Sequence, residues 1–125
     1  MSLNKKIMIV EDNSTLSDMY KFKFELEGFN VLVCNNGISA VKNVETYKPD
    51  ILLVDIMMPE MNGYEFIERA RSQKLIPEWA KIIVLSNLNE PKDKEMALGL
   101  WADEFILKSS YTPKELVAKI KEYFQ

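Results

Sequence analysis

At 125 residues the chain has the size of one domain, and 47% hydrophobic with 28% charged residues is a globular composition. A net charge of −3 lacks the basic footprint of a nucleic-acid binder, and no apolar run nears the roughly 20 residues of a membrane span. Histidine is absent and cysteine occurs once, at Cys34, so histidine-based general-base catalysis, histidine metal sites and an internal disulfide are excluded.

Residues 6–10, Lys-Ile-Met-Ile-Val, read as a first buried strand, and Glu11 and Asp12 follow it directly. Two adjacent acids at a strand end repel each other unless a cation or solvent compensates. Asn13 or Ser14 caps a helix over residues 15–27, where Leu16, Met19, Tyr20, Phe24 and Leu26 recur at helical spacing until Gly28 stops it. Residues 31–34 form a short second strand. Its last residue, Cys34, is read as a small buried apolar group. After the loop Asn35-Asn36-Gly37, a second helix carries Ile38, Val41, Val44 and Tyr47 inward, and Pro49 ends it.

Residues 51–54, Ile-Leu-Leu-Val, are a continuous apolar run without alternation, the pattern of a strand buried on both faces. Asp55 stands at its carboxyl end, and Pro59 stops the strand because it cannot donate to a ladder. Residues 60–63 read as a turn with left-handed backbone at Gly63. A third helix over residues 64–73 turns Phe66, Ile67 and Ala70 inward, and residues 74–80 connect it to a fourth strand over 82–85 that ends at Ser86 and Asn87. Pro91 opens a fourth helix with Met96, Ala97 and Leu100 toward the core. Trp101 leads to a fifth strand over residues 104–107 that ends in Lys108. Thr112 to Glu115 is a capping box, and Leu116, Val117, Ile120 and Phe124 form the inner stripe of the last helix.

Strands alternating with helices imply an α/β, flavodoxin-like, doubly wound five-stranded parallel sheet with five helices, in strand order 2-1-3-4-5. The fold is expected over residues 5–124 as one domain, with no output domain in this chain. That order sets strands 1 and 3 side by side, so Glu11, Asp12 and Asp55 converge at one rim, where Ser86 and Lys108 also end their strands. Only strand 2 delivers no polar group there. Clustered carboxylates call for a cation, and carboxylate, carbonyl and water ligands suit Mg²⁺ or Mn²⁺. Acids, metal, lysine and hydroxyl around a strand-end aspartate describe phosphoryl transfer with Asp55 as nucleophile.

In this order and spacing, Glu11-Asp12, Asp55 with Met58-Pro59 and Gly63, Ser86 and Lys108 resemble the response-regulator receiver domain, in its single-domain, chemotaxis-regulator form. The resemblance implies that Asp55 takes a phosphoryl group from a sensor histidine kinase or a histidine phosphotransfer protein, the chain catalysing only its own phosphorylation and dephosphorylation. It implies that Asp12, Asp55 and the Met57 backbone carbonyl ligate Mg²⁺, with Glu11 assisting through water. It implies that Lys108 pairs with Asp55 and then with the phosphoryl group. Ser86 and Phe105 are implied as the switch pair that reshapes the face of helix 4, strand 5 and helix 5 for a downstream protein partner. Met57 and Leu88 would flank the water that attacks the acyl phosphate. Both are apolar, so a long-lived phosphate is expected.

The sequence departs from the family pattern at Asn87, where a small residue is usual, at Ser109 in place of proline, and at Trp101 in place of glycine. Asn87 would crowd the phosphate and so join Met57 and Leu88 in setting its lifetime. Ser109 gives no ground for a cis bond after Lys108. Trp101 is read either as an interface residue or as core. These departures favour an alternative, a receiver-like binding module that acts without phosphorylation; retention of the five site residues argues against it. Neither direct nucleic-acid contact nor membrane insertion is expected, and the implied kinase partner places the domain in the cytoplasm.

Overall fold

The computed structural model describes residues 5–87, 91–100 and 102–124. Five parallel strands, β1 (Lys6–Val10), β2 (Asn30–Cys34), β3 (Ile51–Asp55), β4 (Lys81–Ser86) and β5 (Glu104–Leu107), form one sheet in the order β2-β1-β3-β4-β5. Helices α1 (Ser14–Leu26), α2 (Gly37–Tyr47), α3 (Gly63–Ser72), α4 (Pro91–Gly99) and α5 (Pro113–Lys121) connect and follow the strands. This is the doubly wound flavodoxin-like arrangement that the alternation of elements predicts.

Alternating strand residues feed two cores, one on each face. Met8, Val10, Leu52, Val54, Ile82 and Val84 pack with Ala40, Val44, Phe66, Ile67, Ala70 and Ala97 from α2, α3 and α4. Ile7, Ile9, Ile51, Leu53, Ile83 and Leu85 pack with Tyr20, Phe24, Leu116, Val117 and Ile120 from α1 and α5. Ile51, Leu52, Leu53 and Val54 have no solvent exposure. Each contributes about 2 kcal/mol of apolar burial, which explains why β3 shows no polar alternation.

Local chemistry ends the helices where they must end. The side chains of Asn13 and Asn36 accept from Leu16 N and Ser39 N at the first turns of α1 and α2. Asn62 and Thr112 form capping boxes with Glu65 and Glu115. Gly28 follows α1 with φ 93°, a conformation that a side chain would strain. Cys34 is buried, as its strand-end setting predicts.

Several expectations are corrected. On α1 the inward residues are Ser17, Tyr20 and Phe24, so Met19 and Leu26 face solvent, Leu26 at 66% exposure. Ile38 and Met96 are also exposed. These side chains are apolar but sit off the stripe that meets the sheet, and hydrophobicity alone does not locate that stripe. Gly63 is not left-handed; the turn takes its positive φ at Glu60 (66°), and Gly63 is the first residue of α3. Glycine is needed at 63 for space. A Cβ there would lie 2.4 Å from the backbone oxygen of Asp55. In keeping with the serine that stands where proline is usual, the peptide after Lys108 is trans, and no cis bond occurs among the described residues. Trp101 lies outside the described residues.

Candidate functional site

The register of the sheet assembles the site. Val10 pairs with Val54, so Glu11 and Asp55 emerge side by side from the two central strands. Ser86 pairs with Leu107, so Lys108 emerges beside Ser86 from the neighbouring strand. The carboxylates of Glu11, Asp12 and Asp55 each bring an oxygen to within 4.8 Å of the others. Glu11, Asp55 and Ser86 are buried, while Asp12 is exposed at the mouth.

Lys108 reaches into this cluster from β5. Its Nζ lies 2.5 Å from Glu11 Oε1 and 3.2 Å from Asp55 Oδ1. The resemblance implied pairing with Asp55; the geometry adds Glu11 as the nearer partner. Burial pushes the Glu11 carboxyl above its ordinary value, and the neighbouring Asp55 pushes it the same way, against the pull of Lys108. Burial alone would lower the Lys108 ammonium, but the bond to Glu11 and the charge of Asp55 outweigh it and raise the group. Below them Tyr20 is buried in the α1–α5 core, and burial raises its phenol.

The donor set fits a hard divalent cation. Three carboxylates cluster around one lysine that reaches only Glu11 and Asp55, and Glu11 Oε2 is buried with no hydrogen-bond partner among the described residues. A buried carboxylate oxygen without a donor is costly unless a cation or water meets it. Backbone geometry holds the opposite wall: Gly63 N donates to Ile56 O at 3.0 Å and fixes the loop carrying Met57 and Met58.

The remaining expected site residues fall as follows. Met57 projects into solvent at 64% exposure, and Asn87 is exposed next to buried Ser86. Phe105 is half-buried against the α2–α3–α4 core and pairs with Val84, two residues before Ser86. Leu88 lies outside the described residues. One contributor was missed: Asn35, directly after β2, donates from Nδ2 to Glu11 O at 2.8 Å and lies 3.4 Å from Ser17 Oγ. Its only sequence signal was a polar residue at the end of the one strand thought to contribute nothing.

Fold and cluster together define a doubly wound α/β domain with an acid–lysine centre at its topological switch point. The profile of the response regulator receiver domain matches residues 7–121, and the chain belongs to that family. It is 34% identical over 119 residues to the alkaline phosphatase synthesis transcriptional regulatory protein PhoP of Bacillus subtilis, covering 95% of this chain and 48% of that protein. It is 31% identical over 120 residues to the DNA-binding response regulator MtrA of Mycobacterium bovis, covering 96% and 50%. The chain thus spans about half the length of the curated relatives it matches. Among solved structures, a CheY-like receiver domain protein from Methanospirillum hungatei JF-1 superposes with a TM-score of 0.86 at 28% identity, covering 97% of this chain and 94% of that one. The receiver domain of a signal transduction histidine kinase from Syntrophus aciditrophicus gives 0.80 at 30% identity, covering 96% and 89%. Among the described residues no helix is long and apolar enough to cross a membrane.

Proposed function

We propose that this receiver domain is a phosphorylation-controlled switch in which Asp55 accepts a phosphoryl group from the phosphohistidine of a histidine kinase or phosphotransfer protein. The observation that carries the reading is the lysine shared between two buried acids at the carboxyl ends of neighbouring strands. An Asp55 carboxylate oxygen attacks phosphorus as the phosphorus–nitrogen bond breaks, and the imidazole nitrogen keeps the electron pair. Asp12, Asp55 and the Met57 carbonyl, with Glu11 assisting, would hold Mg²⁺ or Mn²⁺. Bound there, the cation would offset charge on the phosphoryl oxygens. Lys108 exchanges its carboxylate contacts for a phosphoryl oxygen, and the Ser86 hydroxyl donates to another.

The output is a population shift. Ser86 and Phe105 change arrangement together and reshape the α4–β5–α5 face for a protein partner. The whole unit, residues 5–124, acts in the cytoplasm, where such kinases present their phosphohistidine, and it turns over only its own phosphate. Exposed, apolar Met57 cannot orient an attacking water, nor can Leu88, and Asn87 puts a larger side chain next to Ser86. The phosphate is therefore long-lived. A decay as fast as the quickest receivers would count against this part of the reading.

A second reading, a module that binds its partner without phosphorylation, draws on the polar Asn87 beside Ser86. Intact-mass spectrometry after incubation with acetyl phosphate and Mg²⁺ separates the two. One phosphoryl group on the unsubstituted protein, missing in Asp55→Asn and after chelation, is the expected result. An unmodified protein would leave only the binding module.

A further inference from the structure

We propose that Asn35, on the edge of the sheet beyond β2, is a positioning residue that orients the Glu11–Asp12 pair for a divalent cation. The inference rests on the cation reading above and adds a residue which that reading does not use. The end of β2 holds the Glu11 peptide groups on both sides. Glu11 N donates to Cys34 O at 3.0 Å, and Glu11 O accepts from Asn35 Nδ2 at 2.8 Å. A backbone carbonyl only accepts, so the amide nitrogen of Asn35 must be the group that faces it.

The second bond has a geometric consequence. Glu11 O and Asp12 N belong to one rigid peptide plane. Holding that plane sets ψ at Glu11 and fixes where Asp12 N and Cα lie, and so the point from which the Asp12 side chain leaves the chain. Glu11 is also gripped through its carboxylate by Lys108. Asp12 is exposed and takes its direction from the backbone. Asn35 is braced in turn: its Nδ2 lies 3.4 Å from Ser17 Oγ, and that fully buried hydroxyl donates to Ser14 O at 3.1 Å. The edge strand therefore reaches the site through its neighbour's backbone. Removing a partner that aims metal ligands typically costs about 10–100-fold in affinity.

The test is calorimetric titration with Mg²⁺ alone at constant pH, on the unsubstituted protein and on Asn35→Ala, Asn35→Leu and Asn35→Gln. Thermal unfolding in chelator is measured on each in parallel. Asn35→Ala and Asn35→Leu lose the donor and are expected to weaken Mg²⁺ binding by about tenfold. Asn35→Gln keeps an amide on a longer stem at an exposed position and recovers most of the affinity. Asn35 is exposed, so all three fold; the titration is read well below the unfolding transition, where a loss of stability alone leaves Kd unchanged. Affinities within twofold of the unsubstituted protein in both donor-less variants would overturn the role of Asn35 while leaving the cation site standing. No Mg²⁺ binding by the unsubstituted protein would overturn both.

Discussion

Lys108 sits between two acids that it alone neutralises among the described side chains, which makes its removal informative in two directions. In Lys108→Met, Glu11 and Asp55, with side chains only 3% and 7% exposed, face each other without a cation. Breaking a buried pair costs about 3 kcal/mol, so urea unfolding in chelator should show a loss of that size. The same change leaves the cluster one charge more negative. Mg²⁺ should then bind at least about fivefold tighter, since a unit charge at about 4 Å is worth about 1 kcal/mol even at the dielectric constant of water. Weaker Mg²⁺ binding in Lys108→Met would show that the lysine organises the acids and does not compete with the metal. The raised Glu11 carboxyl adds a pH dependence. Its folded value lies above the ordinary 4.5, so its contribution to stability is fully present below 4.5 and is lost as pH rises through the folded value. On the proposed cation reading, Mg²⁺ and that proton compete for the same acid cluster, so metal affinity should rise with pH over the same interval. Glu11→Gln should flatten this rise in calorimetric titrations across pH.

The turn between β3 and α3 shows how an element carries the site. A Cβ at residue 63 would meet Asp55 O at 2.4 Å, and Asp55 C and Ile56 Cα at 3.0 Å, all backbone atoms with no rotamer to yield. Gly63→Ala should therefore destabilise by about 3 kcal/mol and displace the loop of Asp55 and Met57, a loss readable by denaturant unfolding. Stability close to that of the unsubstituted protein would mean that the loop yields easily and that glycine is not required for space. Most of this architecture is legible in the sequence for a physical reason: residues 51–54 and 82–85 are buried on both faces, and such strands have to be unbroken apolar runs. Alternation with helices then calls for a doubly wound parallel sheet, 2-1-3-4-5 being one of its common strand orders, and the acids and Lys108 follow from strand ends. What stays hidden is any choice among equal chemistries. Met19 and Leu26 are as apolar as the core, yet α1 packs through Ser17, Tyr20 and Phe24. Asn35 bonds a carbonyl 24 residues away, a contact with no local signature. At the far end of β5 a further cluster is likewise invisible to periodicity. Lys119 Nζ lies 2.9 Å from Glu104, and the Tyr123 hydroxyl donates to the same carboxylate. Burial opposes the shift, but these two partners prevail and hold Glu104 below the usual carboxylate range, while its bond to Glu104 raises Lys119. The contribution of Glu104 is present above 4.5 and lost as pH falls through its folded value. That of Lys119 is present below 10.5 and lost above. Tyr123→Phe should remove about 0.5–1 kcal/mol inside that window, a partly exposed contact being screened, and less outside it.

Across the whole molecule, stability is unevenly spread, and that would decide where the proposed phosphorylation of Asp55 is felt. The central strands β1, β3 and β4 are sealed between two cores, with nearly every residue buried. Strand β5 is an edge strand of four residues with one fully buried, and among the described side chains of α4 only Ala97 is buried. A cation bound only by the folded state stabilises all of this, by about 2.7 kcal/mol at a concentration one hundred times its Kd. The melting temperature should rise by about 10 °C with saturating Mg²⁺ and fall back with chelator. A beryllofluoride phosphoryl mimic adds a second demand, because Ser86 and Lys108 must now meet its oxygens from the ends of β4 and β5. Rearrangement follows the least costly route, which is the segment with the fewest buried contacts. Hydrogen exchange with Mg²⁺ and the mimic should therefore change in α4, β5 and the start of α5, while β1, β3 and the α2–α3 pair keep their protection. Asp55→Asn should show the Mg²⁺-free pattern throughout. Changes spread evenly over both cores, or concentrated in α1 and β2, would place the responsive element elsewhere and separate output from the Ser86–Phe105 side of the sheet.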